Sequence, residues 1–62
     1  MCQSSAYMDN NGENELVMED VELFEVSDGQ VKLVNIFGEE KKLKARIKNL
    51  YLIDHRIILE KL

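Results

Sequence analysis

Val21-Glu22-Leu23-Phe24-Glu25-Val26-Ser27-Asp28-Gly29-Gln30-Val31-Lys32-Leu33-Val34-Asn35-Ile36 is the stretch that decides the fold. Asp28-Gly29 is hairpin chemistry, because both residues tolerate the positive φ of a tight two-residue turn. Val26 and Val31 flank it, and apolar residues recur at every second position on both sides. Period two is the signature of a half-buried strand. The pattern slips once: Val21 and Leu23 alternate, then Phe24 and Val26 continue on the opposite phase. A β-bulge near Leu23-Phe24 absorbs such a slip.

The same punctuation recurs outward from this hairpin. Asp9-Asn10-Asn11-Gly12, Phe37-Gly38-Glu39 and Asp54-His55 are turn signals. Between them lie runs of strand length: Gln3 to Met8, Asn14 to Met18, Lys41 to Lys48, Leu50 to Ile53 and Arg56 to Leu59. In Lys41 to Lys48, Leu43, Ala45 and Ile47 alternate with Lys42, Lys44, Arg46 and Lys48. Residues 39–50 are rich in helix formers, yet a core helix needs apolar residues three and four apart, so strand is the reading. The expectation is an all-β chain: a small antiparallel, barrel-like meander of about six short strands, with residues 1–62 as one domain.

Sixty-two residues make a marginal core, which a metal, a disulfide or a partner subunit usually supplements. Cys2 is the only cysteine, so an internal disulfide is excluded. The last hairpin has more apolar residues than one face needs, with Ile57 and Leu59 on one side and Ile58 and Leu62 on the other. The surplus face is a candidate dimer contact. No apolar run approaches bilayer length, and Met1-Cys2-Gln3-Ser4 is not a secretory leader. A free thiol without an export signal implies the cytoplasm.

Charge is divided along the chain. Residues 1–30 carry eight acids and no Lys or Arg, whereas residues 31–62 carry eight bases and four acids. The plainer account is acidic strands pairing with basic ones. The alternative is a stripe of Lys42, Lys44, Arg46 and Lys48 that meets RNA phosphates, which a net charge of −4 disfavours. Catalytic signatures are missing: there is no phosphate-cradling glycine loop, no H-E-x-x-H and no nucleophile elbow. A binding protein is expected rather than an enzyme.

Cys2 carries the chemistry. Its thiolate, its backbone nitrogen and the amine of Met1 are adjacent donors that close two fused five-membered rings on one ion. If Met1 is removed, the Cys2 amine and thiolate still close one ring. Sulfur with planar nitrogen donors suits nickel(II) or copper(II) better than zinc. The plainer reading of Cys2 is a small side chain packed under the first strand. His55, in a turn, is a weaker candidate ligand. Met8 and Met18 more readily fill core gaps, and Asp9, Glu13 and Glu15 match no calcium-loop spacing.

The opening Met1-Cys2-Gln3, Glu15-Leu16-Val17-Met18-Glu19-Asp20-Val21, Asn35-Ile36-Phe37-Gly38-Glu39 and His55-Arg56-Ile57-Ile58-Leu59-Glu60 together resemble the CooT family over nearly the whole chain. These are small nickel-binding proteins linked to the maturation of carbon monoxide dehydrogenase, also catalogued as predicted RNA-binding proteins. The resemblance implies a β-barrel-like protomer, a homodimer, and one nickel(II) ion held between two Cys2 residues with the backbone beside them. It implies storage of the ion or its delivery to an apoenzyme such as carbon monoxide dehydrogenase. A purely structural interaction domain is the remaining alternative.

Overall fold

In the computed structural model, which describes residues 4–62, Asp28 and Gly29 turn the chain between β2 (Glu13–Ser27) and β3 (Gln30–Asn35). Their φ values are 39° and 76°, the double left-handed geometry that matches the twist of flanking strands. Val26 stands opposite Val31 and Ser27 opposite Gln30, so the turn sets the register. The other strands are β1 (Ser4–Asn10), β4 (Glu40–Leu43), β5 (Ala45–Tyr51) and β6 (Arg56–Lys61). The six form one sheet in the order β4-β3-β2-β1-β6-β5.

The sheet is mixed and curled into a half-barrel. Every neighbouring pair is antiparallel except β1 with β6, which run parallel, Ala6 facing Ile57 and Met8 facing Leu59. β4 and β5 are the two edge strands, yet only Lys44 separates them in the chain. One residue can connect opposite edges only if curling has brought those edges together. β3 accordingly approaches β5, although the two are not paired.

A bend in β2 produces the curl. The two strands expected at residues 14–18 and 21–27 are one strand of 15 residues. Its first half pairs with β1 as far as Val21 opposite Ser4, and its second half pairs with β3 from Val21 opposite Asn35. Asp20 at the junction has φ 57°, and the β2–β3 register shifts between Val21 and Leu23. The irregularity thus begins upstream of Leu23-Phe24. Such a kink lets one strand serve two sheet faces and fold them over each other.

Between those faces Ala6, Val31, Leu33, Ala45 and Leu59 are fully buried, joined by Met18, Val21 and Ile57. Complete burial of side chains such as Leu33 or Leu59 contributes roughly 1.5–3 kcal/mol each. The period-two reading of Lys41 to Lys48 holds, with Ala45 buried, Leu43 and Ile47 half-buried and the cations exposed. The run is broken at Lys44, where the chain bends from one edge to the other. Acid–base pairing across strands is also present: Lys32 meets Glu25 at 3.4 Å, and Arg46 meets its partner Glu60 at 2.7 Å.

Candidate functional site

Ser4, the first described residue of β1, stands on the row of Val21 and Asn35. The Ser5 N–H donates to the His55 carbonyl at 2.9 Å, fixing the start of β1 against the β5–β6 turn. The candidate ligands Met1 and Cys2, like Gln3, precede this point and lie outside the described residues. A cavity of about 180 Å³ opens beside Ser4, walled by Leu23, Phe24, Leu50, Leu52 and His55.

The rim of this opening is apolar. β5 ends at Tyr51, two residues before the expected end of the strand, because residues 52–55 are all used in the turn. Leu52 is 73% exposed and Ile53 91% exposed. Leu23 and Leu50 are also exposed. The apolar surplus of the last hairpin is therefore greatest in its turn, with Leu50 and Tyr51 at the end of β5 and Leu62 after β6 also exposed. Ile58 itself is buried, flanked by Tyr7 on β1 and Asn49 on β5. The signal available in the sequence was the pair Leu52-Ile53 directly before the turn residues Asp54-His55.

His55 is half-buried in the cavity wall rather than free in solvent. Its φ of 55° places it in the left-handed region. Met18 is buried and Met8 packs against the core, so both fill space. Asp9 accepts the Gly12 N–H at 3.1 Å and pairs with Lys48, while Glu15 accepts from Asn10 Nδ2 at 2.7 Å. Among the described residues, no group of three or more His, Cys, Asp or Glu side chains is placed to hold a metal ion.

The lysine stripe does not stay whole. The bend at Lys44 separates Lys42 from Arg46 and Lys48. Arg46 is paired with Glu60 and Lys48 with Asp9. The hydrogen bond from Lys48 holds the Asp9 carboxyl below its ordinary pKa, and the Asp9 carboxylate raises that of Lys48.

Asn35 was absent from the candidate residues, yet it organises this end of the molecule. Its side chain is buried, and its Oδ1 accepts the Phe37 and Glu39 N–H groups, each at 2.9 Å. Its Nδ2 donates to Glu39 Oε1 at 2.7 Å. The Gly38 N–H returns to the Asn35 carbonyl at 3.0 Å, and the Ile36 N–H reaches the Asp20 carbonyl at 2.9 Å. An Asn three residues before Gly38 was the readable sign, since Asn side chains mimic a backbone turn.

Known proteins resemble the chain over nearly its full length. The family described as CO dehydrogenase accessory protein CooT matches residues 1–60. An uncharacterized protein of Methanocaldococcus jannaschii is 37% identical over 60 residues, covering 97% of this chain and 98% of its own. The crystal structure of a protein described as a CooT from Carboxydothermus hydrogenoformans superposes with a TM-score of 0.90 at 43% identity, covering 98% of each chain.

Proposed function

This chain belongs to the CooT family of CO dehydrogenase accessory proteins, and from that premise we propose that it binds nickel(II) as cargo for an apoenzyme. The donors are the Cys2 thiolate, the nitrogen of Cys2 and the amine of Met1, two copies of the chain supplying one ion. One observation carries the reading: the Met1-Cys2 pair falls inside the matched stretch, with Gln3 between it and Ser4 in the sequence. The exposed Leu50 and Leu52 beside Ser4, with Ile53 next in the turn, offer a second copy an apolar surface to cover. A two-fold axis there brings the two termini to one ion.

The chemistry follows from the donor types. A thiolate and amide or amine nitrogens satisfy a late divalent ion of planar preference. Binding releases the thiol proton, so affinity falls as pH is lowered. A cytoplasmic setting keeps the thiol reduced. Donors at a chain terminus suit handover, since an incoming ligand can attach as each leaves. Nickel titration followed by thiolate-to-metal absorption, with native mass spectrometry, tests this. One ion per two chains is expected, with loss of the absorption band in Cys2→Ser. An unchanged affinity in Cys2→Ser overturns the proposal.

A further inference from the structure

A groove of about 590 Å³ runs between the β3–β4 turn and the first half of β2. Leu16, Val17 and Phe37 line its apolar part, and Glu19, Asp20 and Glu40 its acidic part. Phe37, 74% exposed, stands at the turn apex, and Leu16 is exposed across the groove. The turn does not need the Phe37 ring. Asn35 frames it through both of its amide atoms, and Gly38 supplies the φ of 85° that closes it. Folding accounts for Asn35, Gly38 and Glu39 in the Asn35-Ile36-Phe37-Gly38-Glu39 motif and leaves the aromatic ring unexplained.

We propose that this groove docks an extended, lysine- or arginine-bearing segment of a partner protein, with Phe37 as the apolar anchor. A ring held on a pre-ordered turn loses little freedom on binding, and aromatic anchors of this kind dominate interface energies. Charge selects the occupant. Lys41, the one cation in the groove, has its ammonium on the Val17 carbonyl at 2.8 Å. None of the ion pairs among the described residues involves Glu19, Asp20 or Glu40. A second copy docking by two-fold symmetry would set these carboxylates against their own equivalents. Nucleic acid and anionic lipid are repelled for the same reason. Asn35 and Ser4 both pair with Val21, so the residue that frames the turn lies two strand spacings, roughly 10 Å along the sheet, from Ser4. The proposal does not depend on nickel.

The test is fluorescence anisotropy of the full-length chain with two labelled hexapeptides, one alternating lysine and leucine, the other glutamate and leucine. The lysine peptide is expected to bind, and to weaken about tenfold or more in Phe37→Ser and in Glu40→Lys. Both variants should keep the parent's urea midpoint, because neither side chain is part of the turn's frame. Raising salt from about 20 to 200 mM should weaken binding further. Cys2→Ser should bind the peptide as the parent does, which separates this site from the metal. Equal binding of the glutamate peptide, no binding of the lysine peptide, or full affinity in Phe37→Ser overturns the proposal. So does a sedimentation experiment in which Phe37→Ser turns a dimer into a monomer, since the groove would then hold a second copy.

Discussion

The β3–β4 turn and the β5–β6 turn both expose large apolar side chains, Ile36 and Phe37 in one, Leu52 and Ile53 in the other. They are held by different means. The first is framed by the buried amide of Asn35, with three side-chain hydrogen bonds and a glycine at the one position of positive φ. The second has a backbone bond from Ser5 to His55 and an exposed Arg56–Asp54 pair at 3.3 Å, with Arg56 also over the Tyr51 ring at 5.8 Å from its centroid. Its residue of positive φ is a histidine. The difference teaches that exposed apolar surface comes in two kinds. A turn with an internal polar frame presents its ring in one place. A turn tied mainly through the strand beside it can adjust to whatever covers it.

The largest test of that contrast is Asn35→Ala. It strands the Phe37 and Glu39 N–H groups at a part-buried site, which costs roughly 1–3 kcal/mol. Urea denaturation should report the loss, and hydrogen exchange should quicken at Phe37 and Glu39 while residues 52–55 stay as they were. A uniform change in both turns would erase the distinction. Next in size is a reciprocal pair. Gly38→Ala forces a left-handed φ on a residue with a Cβ and should destabilise by about 1 kcal/mol, with no clash contributing, since nothing lies within 4 Å of the added carbon. His55→Gly relieves the same strain but adds chain entropy, so stability should stay within about 1 kcal/mol of the parent. Thermal melts of the two side by side decide whether the turns differ in backbone terms.

The smallest effect concerns neither turn and serves as their common control. Asp9 has a lowered pKa because Lys48 bonds it. Its contribution to stability is therefore present above the ordinary carboxylate pKa of about 4, and is lost as pH falls through the depressed value. Lys48→Met should remove that acid-side dependence and leave the slopes near neutrality alone. Asp9 is half-buried, but Lys48 is exposed to solvent and its charge is screened by salt, so the change in an acid titration should be slight.

Much of the fold was legible because its signals are local. Asp28-Gly29 and the alternation from Val21 to Ile36 specify a hairpin without reference to the rest of the chain. Lys41 to Lys48 declares itself a strand through Leu43, Ala45 and Ile47. What escaped reading depends on distant residues. The parallel pairing of β1 with β6 has no turn to announce it. The break at Lys44 arises only because the sheet's edges meet there. Asp20 bends β2 from a position where alternation still looked like two strands with a gap. Of the proposed site, only the residue types of Cys2 and Met1 were legible, and both lie outside the described residues. The apolar rim was not, because Leu52 and Ile53 look like strand residues until the turn is known to consume four positions. Asn35 was readable only as a turn residue near Gly38; its burial and its bonds to Phe37 and Glu39 are set by the folded turn.

The parallel pairing of β1 with β6 also governs when the protein can form. Of the six strands described, a ribosome makes β1 first, yet one of its two neighbours in the sheet, β6, comes last. Hairpins β1–β2 and β2–β3 can assemble during synthesis, but the core stays open on one side until Arg56 to Lys61 emerges. Such long-range closure is slow and leaves apolar surface uncovered meanwhile. Trimming a few residues from the β6 end should therefore harm yield in cells more than the few contacts removed would suggest.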